Sequence, residues 1–408
     1  MSILMTGVRL TKHGFLVATI LFFSFISWYA VFSLYVLPHA VSSSAEIYPL
    51  VNISFNFIIV ITLLSSSFFI HRFNEVRIII ISFLAISIVA ISLLFTSSIV
   101  LRLAFIFVAG IFFGIGQLAG VTYFWDLTVS EERGRAAGLG GALALPIYYV
   151  VTWIAVTFDF FGLVMLSVII SLGTLVITLF RPEKNAMLIK KKDEKGGNPE
   201  KRSILLYAVP WAVFSLINAT LASNISIHIS QLVPFSNYMV LVVLQLVAAI
   251  FGALSVGIIA DFFGRRLPLV LGLTLYGIAS ALAGLVNNYV MFCFVYVANG
   301  LTWGIFSTLY LLVVWGDLAN RESCSKMYSI GLATFYLATG VGSLLTNQLS
   351  QIPLVISSLV SCLLIFLLNI PLILAPELLS ADFRQRIRLK LHMNAVRKTG
   401  RKLSQNQG

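Results

Sequence analysis

The sequence predicts an all-α polytopic membrane protein with twelve transmembrane helices arranged as two pseudo-symmetric six-helix bundles. Three observations carry this. The 408 residues are 59% hydrophobic and 10% charged, with a mean hydropathy of +0.99, far from the composition of soluble globular domains. Twelve continuous apolar stretches approach the length of about 20 residues that a helix needs to cross a bilayer. The lysines and arginines crowd into alternate connecting segments, as the positive-inside rule requires.

The helices are expected near 13–37, 48–70, 78–97, 99–124, 136–158, 160–180, 204–229, 236–260, 267–286, 289–315, 327–350 and 352–375. A β-barrel would instead show alternating segments of about ten residues. The first stretch exceeds a signal-peptide apolar region and no A-x-A-like site follows it, so it is expected to be retained.

With the amino terminus in the cytosol, 26 of the 27 basic residues fall on the cytosolic side and only Arg102 falls outside. One helix more or fewer would reverse the bias downstream, so count and orientation support each other. The expectation is a multi-pass protein of the cytoplasmic (plasma) membrane with both termini cytosolic. The net charge of +12 is then topological and calls for no nucleic-acid partner. Cys293, Cys324 and Cys362 show no paired spacing, so neither a disulfide nor a metal site is expected, and no cofactor is implied.

The chain divides as residues 1–180, an amino-terminal bundle; 181–203, a cytosolic linker; 204–375, a carboxy-terminal bundle; and 376–408, a basic cytosolic tail. The linker RPEKNAMLIKKKDEKGGNPEKRS is the one long internal hydrophilic stretch. An internal repeat gives the same division. His71-Arg72-Phe73-Asn74 precedes Asp261-Phe262-Phe263-Gly264 by 190 positions, the interval that also separates Trp125 from Trp315. In the tail, Phe383, Ile387 and Leu391 recur at helical spacing among arginines and Lys390, a pattern suited to a helix lying on anionic lipid headgroups. A disordered basic tail that only enforces topology is the alternative. The protein is expected to be monomeric.

After the eighth helix the chain reads Gly257-Ile-Ile-Ala-Asp261-Phe-Phe-Gly264-Arg265-Arg266. This G-x-x-x-D-x-x-G-R-R hinge, two six-helix halves and a central linker together resemble the major facilitator superfamily of secondary transporters. The counterpart after the second helix, His71 to Arg77, lacks the aspartate, the glycine and the Arg-Arg pair. Any latch is therefore expected to be lopsided. Arg181-Pro182-Glu183 and Ala375-Pro376-Glu377 loosely resemble the P-E-S and P-E-T endings of sugar porters, although proline and glutamate after a helix are also common stop chemistry. The G-x-x-x-G-P signature of drug and proton antiporters is absent.

Asp126, Asp261 and Asp317 sit near the carboxyl ends of helices four, eight and ten, where the macrodipole disfavours an anion. Each needs a partner. The candidates are the amino termini of helices five and eleven with Arg133, Arg135, Arg321 and Lys326. The resemblance implies that such charges bridge the halves on the cytosolic face, and by pseudo-symmetry Asp261 is expected to meet Arg135 or the start of helix five. The alternative is that these charges only neutralise helix ends.

No acidic residue is expected at mid-membrane, where carboxylates serve as proton relays or cation partners, and no lysine or arginine is expected there either. Neutral groups remain: Trp28 and Asn218 at repeat-equivalent positions, with Asn56, Gln117, Gln245, Asn299, Thr302, Trp303, Tyr148 and Trp153. The resemblance implies a cavity lined by helices one, four, seven and ten, which favours Trp28, Gln117, Asn218, Asn299 and Trp303, with Gln245 beside them. Amides supply donor and acceptor, and indoles an apolar face with an N–H edge. The same residues could instead tie helices together.

These features point to alternating-access transport of a small-molecule substrate, first a neutral sugar-like or mixed polar and apolar metabolite. Efflux of hydrophobic compounds is the alternative within the class, and a non-transporting membrane sensor the alternative outside it. An enzyme is not expected, since no H-E-x-x-H, G-x-S-x-G or clustered His and Asp occurs.

Overall fold

The computed structural model describes residues 14–41, 47–179, 201–286, 288–320, 322–349 and 351–379. Most of the expected linker, the tail from residue 380 and Arg321 lie outside the described residues. Among the described residues there is no strand, and twelve helices are long and apolar enough to cross a membrane. They are α1 (Thr19–Ala40), α2 (Tyr48–Ser66), α3 (Glu75–Leu94), α4 (Ile99–Leu127), α5 (Arg133–Ala155), α6 (Phe160–Thr178), α7 (Lys201–Leu232), α8 (Phe235–Phe263), α9 (Arg266–Leu285), α10 (Tyr289–Leu318), α11 (Cys324–Thr346) and α12 (Leu354–Leu374).

Hydropathy places several boundaries a few residues away from the observed ones, because a charged or capping residue can open a membrane helix at the interface. The Asn74 side chain caps α3, accepting from the N–H groups of Val76 (3.1 Å) and Arg77 (3.4 Å), so α3 starts at Glu75 rather than 78. α5 opens on Arg133 and α7 on Lys201, inside the expected linker. Lysine and arginine are good helix formers; Lys201 is exposed to water, whereas Arg133 is buried against Asp317. At the start of the expected tail, Leu379 is buried and the Pro376 carbonyl accepts from the Tyr207 hydroxyl at 2.8 Å.

Each half repeats one packing scheme. In the first, α1 lies on α5, α4 on α2 and α3, and α3 on α6. In the second, the same relations join α7 to α11, α10 to α8 and α9, and α9 to α12. The halves meet along α5–α8 and α2–α11, two pairs exchanged by adding or subtracting six. The outer surface is apolar, with Ile88, Ile169 and Leu205 each more than 60% exposed, as a lipid-facing surface requires. Trp153, a candidate for the interior, is 58% exposed on this outer surface. Arg102 is held at the opposite face from the basic loops. Its Nε donates to the Thr96 carbonyl (2.7 Å), Nη1 reaches the Ala40 carbonyl (3.4 Å), and the guanidinium lies 5.8 Å from the Phe160 ring centroid. That cation therefore fastens the ends of three helices.

Candidate functional site

The α8–α9 hinge depends on an approach that only a small residue allows. A Cβ on Gly257 would stand 2.6 Å from the Gly134 carbonyl oxygen and 3.1 Å from the Gly138 Cα, so α5 and α8 touch backbone to backbone. This contact brings the start of α5 against the end of α8. Asp261 there accepts from the backbone N–H groups of Gly134 (3.0 Å) and Arg135 (2.9 Å), from Arg135 Nε (2.9 Å), and from Arg265 Nη1 (2.5 Å). The carboxylate that its own helix end disfavours is held by the amino terminus of a helix from the other half.

Asp317 closes a second contact across the halves. It accepts from Arg133 of α5 and from Arg265 Nε (2.8 Å), so Arg265 is shared by both aspartates. Its Nη2 also donates to the Ser130 carbonyl at 2.5 Å. Arg133 and Arg265 are fully buried side chains, and the two carboxylates are 1–2% exposed. Burial alone would lower the Arg265 pKa, but Asp317 and Asp261 outweigh it and hold the guanidinium above its ordinary value. Trp125 adds a neutral tie, its indole N–H donating to the Gly316 carbonyl at 2.9 Å. Asp126 is half-buried at the end of α4.

Glu377, read from sequence as part of a porter-like ending or as helix-stop chemistry, is a member of this cluster. Its carboxylate accepts from the N–H groups of Arg265 (2.7 Å) and Arg266 (3.3 Å) at the start of α9. Arg266 Nη1 in return donates to the Ile373 carbonyl at 2.9 Å. Gly264 turns the chain between them at φ 107°, a region that favours glycine, and a Cβ there would strike the Glu377 carboxylate. The P-E ending thus clasps the hinge of its own half.

The degenerate first hinge makes a different contact. Ser325 Oγ of α11 donates to the Ser67 carbonyl at 2.7 Å, and Lys326 Nζ stands 5.4 Å from the Phe68 ring centroid. A hydroxyl and a cation–π contact occupy the place where the other hinge uses ion pairs.

Four of the six cavity candidates meet in one place. A cavity of about 140 Å³ in the second half is lined by Asn218 of α7, Gln245 of α8 and Asn299 and Trp303 of α10. Tyr276 and Tyr296 complete its polar wall, and neither had a sequence signal, because a tyrosine in an apolar helix does not announce which way it faces. Asn218 Oδ1 accepts from Tyr276 OH (3.2 Å) and Trp303 Nε1 (3.3 Å), while the buried Asn299 Oδ1 has no partner. Every residue lining the cavity comes from the second half. Trp28 and Gln117 are elsewhere, fully buried in the first half, where Tyr336 of α11 meets Phe113 while its neighbour Phe335 meets Trp303. Asn56 accepts from Tyr29 OH at 2.7 Å and Thr302 donates to the Gly272 carbonyl of α9 at 3.2 Å, so these two tie elements together. Among the described residues no group of three His, Cys, Asp or Glu side chains is positioned to hold a metal.

Residues 210–377 match the family model described as "Sugar (and other) transporter". The fold matches that of the human organic anion transporter MFSD10 (TETRAN), with a TM-score of 0.70 and 11% identity over 89% of this chain and 100% of that one. It also matches a bacterial homologue of the iron transporter ferroportin, solved in an outward-facing state with soaked iron, with a TM-score of 0.62 and 16% identity over 88% and 98% of the two chains. No curated protein matches by sequence.

Proposed function

We propose that this chain, a multi-pass membrane transporter of the major facilitator type, moves a small neutral organic solute across the plasma membrane by alternating access. Sugars and other hydroxylated metabolites are the first class to test. The cavity around Asn218 supports this reading most directly. Its walls combine amides, hydroxyls and aromatic faces with no carboxylate, lysine or arginine among them, whereas an ionised cargo inside a membrane calls for an opposite charge. Its volume is close to that of an engineered cavity of about 150 Å³ known to hold benzene, so one six-membered ring fits the scale.

The gate around Asp261 and Asp317 is closed in the described conformation. With the basic loops and both termini in the cytosol, the closed side is the cytosolic one, and the gate is what solute binding and release must work against.

The test is a panel of hexoses, polyols, amino acids and hydrophobic amines screened for thermal stabilisation of the purified protein, followed by flux in proteoliposomes. Saturable stabilisation by a neutral hydroxylated compound is expected, with loss of the shift in Asn218→Ala while the fold stays intact. Stabilisation by carboxylates or metal ions alone would overturn the reading, and selective stabilisation by hydrophobic amines would favour efflux. Binding without flux would identify a sensor.

A further inference from the structure

In the second half α7 packs against both α11 and α12, while α11 and α12 barely touch each other. The gap left between them over α7 is a cavity of about 250 Å³, larger than the one around Asn218. Its α12 wall is open to the bilayer, with Ile356 and Val360 more than half exposed. Leu345 of α11 closes the other side.

Depth sorts the lining. At 1.5 Å per residue α7 is about 48 Å long, so centred on a hydrocarbon core of about 30 Å it overshoots by about 9 Å at each end. Asn224 stands eight residues before Leu232, the end of α7, or about 12 Å. Its amide therefore lies just inside the edge of the core, on the side away from the basic face. Leu216 of α7 and Leu364 of α12, which line the other end of the cavity, lie near the middle of their helices. The cavity runs from the edge of the core to its middle, with an amide at the top and leucines at the bottom.

The polar atoms in it are not equivalent. Thr220 Oγ1 donates to the Leu216 carbonyl and Ser357 Oγ to the Leu354 carbonyl, both at 3.0 Å, so these hydroxyls are satisfied within their own helices. Among the described residues the Asn224 side-chain amide has no hydrogen-bonding partner. A donor facing hydrocarbon calls for an acceptor. Residues 216–240 and 341–364 contain no lysine, arginine, aspartate or glutamate, so nothing beside the cavity selects a charged group.

The first half supplies the comparison. Its equivalent helices α1, α5 and α6 leave a cavity of about 160 Å³ with no amide in its lining. The hydroxyls of Ser24, Ser27 and Thr174 there all donate to carbonyls of their own helices. The repeat thus produces the gap twice and the free donor once.

We infer that the cavity between α11 and α12 holds one acyl chain of a neutral or zwitterionic bilayer lipid. The ester carbonyl of that chain accepts from the Asn224 amide, and the chain runs down over α7 toward Leu216 and Leu364. An ester carbonyl belongs at the edge of the hydrocarbon core, where Asn224 stands, and supplies the acceptor without a charge. The bound chain fills the space that α11 and α12 leave open and steadies α12 against α7. This site faces the bilayer, apart from the Asn218 cavity, and does not rest on the identity of any solute.

The test uses the full chain in dioleoylphosphatidylcholine vesicles that carry a phosphatidylcholine with a diazirine on one acyl chain. After photolysis the cross-linked peptides are located by mass spectrometry. Cross-links are expected to concentrate at residues 216–221 and 360–364, above the density at the exposed α3 surface around Ile88. Ether-linked analogues of both lipids lack the carbonyl and should lower that excess about fivefold, the worth of one neutral hydrogen bond. Asn224→Leu in the ester lipid should do the same at an unchanged melting temperature. The ether-lipid arm keeps the native sequence, so it stands even where the variant fails to fold. A density no higher than around Ile88 would overturn the inference, because lipid would then be only solvent there. An excess that survives in the ether lipids would overturn it as well, and so would displacement by free oleate at levels where added phosphatidylcholine has no effect, which would give the cavity to a fatty acid.

Discussion

Replacing Asp261 by asparagine should open the proposed gate on the basic face by about two to three and a half orders of magnitude in equilibrium constant. The wild-type carboxylate receives four donors, three of them from the first half: the N–H groups of Gly134 and Arg135 and the Nε of Arg135. Asparagine keeps a single acceptor oxygen and turns an NH2 group toward arginine. Asp317 would then be the one carboxylate left to Arg133 and Arg265, and Arg135 would lose its ion pair. Truncating one partner of a buried ion pair costs about 3–5 kcal/mol, and about 1.4 kcal/mol is a factor of ten. The loss falls on the closed state because most of the broken contacts cross between halves. Hydrogen exchange of the backbone at residues 128–138 and 253–263 measures it, with α3 as an internal control. Faster exchange at the gate with an unchanged control is expected. Unchanged exchange at Gly134 and Arg135 would refute the reasoning, since those amides donate directly to the altered group.

Further outcomes follow from the same cluster. Gly264→Ala should destabilise the protein by about 1–3 kcal/mol, read as a lower melting temperature, because φ is 107° and the Glu377 carboxylate fills the space; an unchanged value would mean that the turn relaxes freely. Glu377→Gln should cost about 1 kcal/mol and accelerate exchange at Arg265 and Arg266, whose N–H groups it accepts. Arg265 has a raised pKa, so its contribution is fully present below the ordinary guanidinium value and is lost only above the raised one. The distance between spin labels placed across the gate should accordingly stay constant from about pH 7 to about pH 10, and opening within that range would show that another group controls closure.

The hinge shows how unevenly a sequence discloses a site. Gly257, Asp261, Gly264, Arg265 and Arg266 stand together in the chain, and elementary rules about helix ends and glycine explain each. Arg133 and Asp317 are 184 positions apart, and nothing local says that the second would choose an arginine of α5 and Arg265 over the cations that follow it on its own side. Lys326 instead lies over Phe68. The cavity was less legible still. Trp28 and Asn218 share a place in the repeat, yet one is stacked under Phe32 and Phe113 and the other lines an open cavity.

By itself the sequence determined how many helices cross the membrane, which ends carry the cations and where the chain repeats, because lipid imposes length and apolarity on each segment separately. Which polar side chains share a pocket, which aspartate meets which arginine, and which amide is left unpaired were decided by tertiary structure. Those depend on the rotation and depth of helices relative to one another, set by contacts such as Gly257 on Gly134, and in an all-round apolar helix no periodicity records that rotation.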